Sequence, residues 1–142
     1  PPLTAEQQTL PESIRLAWGG DAGQRALIAW HFSWRPAVEI SGNAWMPVAL
    51  APLLDDEYAA VRCIAGRSLS IFPDYSPPGY DFVLNPAQQG DHTRDIWSRW
   101  LSKNGHAAQT PDYFAQTAPE KLGAKLSVLK ASRSNRPMRL RE

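Results

Sequence analysis

The chain has 142 residues, of which 43% are hydrophobic and 20% charged, a composition typical of one globular domain or of part of a larger protein. No apolar run approaches the roughly 18 residues of a membrane helix, and the single cysteine excludes a disulfide within the chain. The net charge of +1 is unevenly spread: residues 1–120 carry a net −5 and residues 121–142 a net +6. The body of the chain is therefore mildly acidic, and its tail is basic.

The N-terminal quarter predicts an extended segment and two helices. Residues 1–12 are polar and contain three prolines, which predicts an extended lead-in. Residues 13–18 predict a short helix that the two following glycines stop, and Asp21 is the predicted N-cap of a helix over residues 22–34, ended by Pro36. The apolar residues of that second helix recur at spacings of three and four on one face, and they are Leu27, Trp30 and Trp34.

The middle of the chain predicts two more helices and a long loop. Residues 43–54 predict a helix in which Pro47 fits the first turn, whereas Pro52 should introduce a bend. Residues 57–72 predict a helix with a single apolar stripe. The segment 73–90 is rich in proline and tyrosine, which predicts a loop.

The C-terminal part predicts a helix over residues 91–105 and a weaker one over residues 119–132, joined by a loop. The chain then ends in the sequence SNRPMRLRE, which predicts an extended basic tail. No segment alternates apolar and polar residues as an amphipathic strand does. The predicted fold class is therefore all-α, with long proline-rich loops and an extended basic C-terminal tail.

One sequence pattern occurs twice. Residues 22–33 align with residues 59–70 at an offset of 37, which is the length of one helix pair in many helical repeats. The alignment places Arg25 on Arg62, and in the second unit the acidic turn Asp55–Asp56 precedes the helix that carries the arginine. We predict that a turn carboxylate caps this helix. We also predict that the arginine reaches back to a turn carboxylate of its own or a neighbouring unit, so that the pattern serves stacking.

The stretch LLDDEYAAVRCIAGRSL, residues 53–69, resembles the turn and second helix of a HEAT repeat. The shared features are a leucine pair, an acidic turn, a Val-Arg pair and a small residue before a leucine. One unit over residues 43–72 matches well, and a second over residues 13–35 matches in part. The resemblance implies a short antiparallel helix-pair solenoid over residues 13–105, followed over residues 106–142 by a loop, a weak helix and the basic tail.

The segment AWMPVALAPLLDDEYAAVRCIAGRSL, together with NRPMRLRE, is similar to the C-terminal HEAT-like region of certain bacterial multihaem cytochrome c-like proteins. The resemblance implies a periplasmic or otherwise exported location, with haem in a partner or in the rest of a parent chain. Haem attachment needs Cys-x-x-Cys-His, which this chain lacks, so we expect no cofactor to be bound by this segment alone. The chain begins Pro1-Pro2, and we interpret it as a fragment or processed product.

No residue pattern predicts catalysis or a metal site. His31, His92 and His106 lie far apart, and Cys63 has no partner at metal-ligand spacing. We interpret each histidine as a structural or surface residue, against the alternative that one of them ligates a haem iron held by another chain. Cys63 is predicted to pack in the core as a small apolar residue. The chain is therefore predicted not to be an enzyme.

Aromatic residues are the candidates for an interface. The spacing of Trp30 and Trp34 is equally compatible with core and with interface. Tyr75, Tyr80 and Phe82 lie among prolines that restrict their loop, and they are further candidates. We predict a non-catalytic protein-interaction or scaffold domain that binds another protein or the rest of a parent chain. Two alternatives stay open: a helical repeat that binds nucleic acid through the basic tail, and an enzyme whose site is completed by another chain.

Overall fold

A computed structural model describes residues 2, 11–41, 45–88, 91–104 and 119–133. These ranges contain helices and no β-strand, which confirms the predicted all-α class. Two 3₁₀ helices, Ala51–Asp55 and Pro86–Gln88, lie among them. The α-helices in these ranges, in chain order, are α1 Glu12–Gly19, α2 Ala22–His31, α3 Arg35–Ser41, α4 Met46–Leu50, α5 Ala59–Leu69, α6 His92–Asn104 and α7 Pro119–Ala131.

A glycine and an aspartate separate α1 from α2. The N–H of Gly20 donates to the carbonyl of Leu16, and a Cβ added at Gly20 would lie 2.5 Å from that oxygen, so only glycine fits there. The Asp21 side chain accepts from the N–H of Gln24 at 2.8 Å, and the Gln24 side chain accepts from the N–H of Asp21 at 2.9 Å. This capping box starts α2 where the sequence predicts.

The prediction that one helix runs over residues 22–34 and stops at Pro36 is wrong at the C-terminal end of that helix. α2 ends at His31, and the chain turns through hydrogen bonds of 3.0 Å from Ser33 N to Trp30 O and from Trp34 N to His31 O. Pro36 then stands in the first turn of the separate helix α3. A proline is tolerated there because the first turn of a helix needs no N–H donor.

Pro52 ends α4 and turns the chain into a 3₁₀ helix, which is the bend that the sequence predicts. Proline has no N–H, so neither the carbonyl four residues earlier, Val48, nor the one three residues earlier, Ala49, receives a hydrogen bond from it. The indole N–H groups of two tryptophans on other helices donate to these carbonyls instead. Trp97 Nε1 donates to Val48 O at 3.0 Å, and Trp18 Nε1 donates to Ala49 O at 3.0 Å. The broken helix is thus tied to α1 and α6.

The helices pack in pairs around α4 and the 3₁₀ helix that follows it. α1 packs against α2, and α4 with its 3₁₀ extension packs against α5. The two pairs contact each other through α2 with α5 and through α1 with α4, while α6 packs on α4 and the 3₁₀ helix, and α7 packs on α1. The largest buried side chains include Trp18, Phe32, Leu53, Leu69 and Trp100.

The two C-terminal helices are observed close to their predicted bounds. α6 buries Ile96 and Trp100, and α7 buries Leu126. The predicted loop after α5 contains turns, bends and the short 3₁₀ helix Pro86–Gln88 among its described residues. Predictions for the remaining segments lie outside the described residues; these segments are most of the lead-in, the loop 105–118 and the tail 134–142.

The apolar face predicted for α2 lies on its solvent side, which is the largest departure from the sequence prediction. Leu27 is 64% exposed, Trp30 52% and, just beyond the helix, Trp34 47%. α2 instead buries small residues such as Ala29 together with Arg25. Small side chains allow α2 to approach α5 closely, and a buried carboxylate neutralises the arginine. The large apolar side chains therefore remain outside.

Candidate functional site

A buried charged cluster, formed by Arg25, Asp56, Arg62 and Arg133, holds the helix pairs together. Arg25 and Asp56 are both 0% exposed. Arg25 Nε donates to Asp56 Oδ2 at 2.7 Å and Nη2 donates to Oδ1 at 3.0 Å, while Nη1 donates to the carbonyl of Gly20 at 2.7 Å. Arg25 lies on α2 and Asp56 in the turn before α5, so this bidentate pair links one helix pair to the next.

Arg62 binds backbone carbonyls instead of the carboxylate that the sequence predicts. Its Nη1 donates to Asp56 O at 2.7 Å and to Glu57 O at 3.0 Å, and its Nε donates to Phe82 O at 2.9 Å. The Asp56 carboxylate binds Arg25, the residue with which Arg62 aligns in the sequence. The carboxylate contact predicted for Arg62 is therefore made by Arg25, from α2.

The prediction that Asp55 or Asp56 caps α5 is wrong. The N-cap residue is Tyr58, and no side chain forms a cap hydrogen bond with this helix. Asp56 Oδ1 accepts from the N–H of Tyr58 at 3.0 Å, which shapes the turn before the helix. Asp55 Oδ2 accepts from the hydroxyl of Thr93 at 2.9 Å. Both carboxylates thus make tertiary contacts, Asp56 with Arg25 of α2 and Asp55 with Thr93 of α6.

Arg133, assigned by its sequence context to the basic tail, completes the cluster from the end of α7. Its side chain is 4% exposed, its Nε donates to Trp18 O at 2.6 Å, and its Nη1 lies 3.5 Å from Asp56 Oδ2. Burial lowers the pKa of Arg133 below its usual range, although the charge of Asp56 opposes this shift. No pattern in the sequence distinguishes Arg133 from the other basic residues near the C-terminus, which explains why it was not predicted.

Replacing Arg62 tests whether the turn depends on this guanidinium. Arg62→Ala removes hydrogen bonds to three backbone carbonyls, and we expect the free energy of unfolding to fall by about 1–3 kcal/mol in chemical denaturation. Arg67→Ala is the matched control, since Arg67 is exposed on the same helix and its loss should cost no more than about 0.5 kcal/mol. Equal curves for the two variants would contradict the structural role of Arg62.

The structure divides the loop residues predicted to form an interface. Tyr75 is only 9% exposed, so it belongs to the core and leaves the candidate interface. The Tyr80 hydroxyl donates to Leu54 O at 2.9 Å, and its ring covers Gly66 so closely that a Cβ there would lie 2.9 Å from it. Burial raises the pKa of Tyr80, which keeps the hydroxyl protonated as a donor. Phe82 remains 40% exposed.

The exposed side of α2 forms a tryptophan surface, defined by Leu27, Trp30, His31 and Trp34. The Trp30 and Trp34 rings have centroids 6.3 Å apart and planes within 19° of parallel. The centroid of the His31 ring lies 5.7 Å from that of Trp34. The pattern of these tryptophans left core and interface equally open, and the structure places them on the surface.

The other chemistry-bearing residues form no metal site in the part of the chain that the structure describes. No three His, Cys, Asp or Glu side chains come together there as metal ligands. Cys63 is half-buried on α5, so its prediction as a core residue is only partly right. His92 meets the Tyr80 ring edge-on at 5.3 Å, and His106 lies outside the described residues. No described helix combines the length and apolarity that crossing a membrane requires.

Comparisons of the chain with family models, with curated proteins and with solved structures returned no match. The HEAT-like and cytochrome-associated interpretations therefore stay predictions, based on residue patterns.

Proposed function

We propose that this chain is a non-catalytic protein-interaction domain built as a short HEAT-like stack of helix pairs. The packing of α1 with α2 and of α4 with α5, and the contacts of α2 with α5 and α1 with α4, support this arrangement. The buried bond from Arg25 to Asp56 supports it as well, because it joins consecutive units. In a stack of repeats each unit covers its neighbour, so a terminal unit has a face that needs cover.

The tryptophan surface is the observation that carries the proposal. With 3.6 residues per turn, Leu27 and Trp30 lie on the side of α2 opposite Arg25 and Ala29, which face the second helix pair. In a longer stack, the helix pair before α1 and α2 would pack on this side. Tryptophan is enriched among the residues that dominate binding energy at interfaces. The partner is therefore a protein, or another part of a parent chain, that presents a complementary apolar surface.

The isolated chain should self-associate and bind a hydrophobic dye through the tryptophan surface. Trp30→Ser/Trp34→Ser should abolish both effects, since burial of apolar area drives them at roughly 25 cal/mol per Å². Both residues are about half exposed, so we expect little change in the thermal melt. Sedimentation velocity and dye fluorescence provide the measurements.

The matched control for this double substitution is Ile71→Ser. Ile71 is 47% exposed, the same fraction as Trp34, but it lies just after α5 and outside the tryptophan surface. This variant should associate and bind dye as the unmodified chain does. A dye-negative, monomeric unmodified chain would contradict the proposal, because its apolar surface would then need no partner.

The burial of two basic residues near the C-terminus favours a protein partner over nucleic acid. Arg133 is buried and bound to Trp18 O and Asp56, so it is withdrawn from any phosphate contact. Lys130 is half-buried, and burial lowers its pKa. A multihaem cytochrome as the partner and an exported location stay predictions that rest on the sequence resemblance.

A further inference from the structure

A cleft of about 650 Å³ lies between α6 and α7, and it shares no lining residue with the tryptophan surface. Trp97, Leu101 and Leu126 contribute apolar lining, while Asp55 and Lys130 contribute opposite charges. Small-molecule sites typically have volumes of roughly 300–1,000 Å³ and combine an apolar lining with a few polar groups. The cleft has both properties.

Asp55 and Lys130 are each half-buried, yet they form no ion pair with one another, and Lys130 Nζ has no hydrogen bond within the described ranges. Burial raises the pKa of Asp55, against the hydrogen bond from Thr93, and it lowers the pKa of Lys130. Both groups are therefore partly dehydrated, and they attract each other only across a distance longer than that of an ion pair. A ligand that carries both charges would offset this cost.

The other charged residues that line the cleft compensate each other. Asp91 Oδ1 accepts from the N–H of Arg94 at 2.9 Å, and Arg94 Nε lies 3.5 Å from Asp91 Oδ2. Both side chains are largely exposed, so water screens them. The charges left for a ligand to pair are those of Asp55 and Lys130.

We propose that this cleft binds a free α-amino acid with a large apolar side chain. The ligand ammonium pairs with Asp55, its carboxylate pairs with Lys130, and its side chain lies against Trp97. A simple carboxylic acid would bring a second negative charge beside Asp55, and a simple amine would bring a second positive charge beside Lys130. Only a zwitterion complements both residues. This binding activity goes beyond the protein-interaction function and does not depend on it.

Titration of the ¹⁵N-labelled full chain with L-phenylalanine tests the proposal. We expect saturable shifts of the Trp97 indole N–H signal, with a Kd on the order of 1 mM for so small a ligand in an open cleft. N-acetyl-L-phenylalanine lacks the ammonium and phenethylamine lacks the carboxylate. Each should bind about 10- to 100-fold more weakly, the usual effect of losing one charge-assisted contact.

Substitution of Lys130 distinguishes specific binding in the cleft from non-specific electrostatic binding to the protein. Lys130→Gln should weaken L-phenylalanine binding by about 10- to 100-fold. Lys103→Gln is the control, since Lys103 pairs with Asp74 and does not line the cleft. This variant should bind L-phenylalanine with the same affinity as the unmodified chain. Absence of saturable binding, equal binding of the three compounds, or unchanged affinity in a folded Lys130→Gln variant would each overturn the proposal.

Discussion

Asp56→Ala should lower the free energy of unfolding by about 3–5 kcal/mol, because it leaves the guanidinium of Arg25 buried without its counter-ion. The bond from Arg25 Nη1 to Gly20 O would survive, but it carries no compensating charge. Arg133, 3.5 Å from the same carboxylate, would lose its counter-ion as well. Denaturation by urea or guanidinium chloride measures the loss.

Two further variants show whether charge burial is the cause of this loss. Glu57→Ala removes an exposed carboxylate from the next position, and it should cost no more than about 0.5 kcal/mol. Arg25→Met/Asp56→Ala should be more stable than the sum of the two single changes predicts, because no unpaired charge remains at either position. Strictly additive effects would show that the two side chains do not stabilise each other.

Trp18→Ala should cost about 3–5 kcal/mol, since it empties a 0% exposed site at the junction of α1 and α4. It also removes the donor to Ala49 O, a carbonyl that Pro52 leaves unpaired. Trp18→Phe separates the two effects, because the smaller ring retains most of the apolar contact and lacks the N–H. We expect the phenylalanine variant to lose about 1–3 kcal/mol, measured by chemical denaturation.

The control for the Trp18 variants is Trp34→Phe. Trp34 is 47% exposed, so the same chemical change should alter the free energy of unfolding by no more than about 0.5 kcal/mol. If Trp18→Phe were as stable as the unmodified chain, the Ala49 carbonyl would have to find another donor. The role assigned to the tryptophans around the broken helix would then be wrong.

The sequence by itself determined the all-α class, the start of α2 and, to within one residue, the bounds of α1, α6 and α7. The capping box at Asp21 starts α2, Gly20 ends the preceding helix and Pro52 converts α4 into a 3₁₀ turn. These signals act within four residues along the chain, where steric exclusion and missing or added hydrogen bonds leave few alternatives. Pro36 was misjudged because a proline suits the first turn of a helix as well as it ends one.

Only the tertiary structure decided which residues meet and which face is covered. Arg62 is the arginine nearer to Asp56 along the chain, but Arg25, 31 residues away, binds its carboxylate, because α2 packs against α5. The spacing of Leu27 and Trp30 identifies an apolar stripe, but it does not show whether that stripe faces another helix or the solvent. Close packing against α5 favours the face of α2 that carries small side chains, and it leaves the large apolar side chains exposed to solvent. The cleft exists only once the helices are packed, since it combines residues of the 3₁₀ helix, α6 and α7 that no local pattern connects.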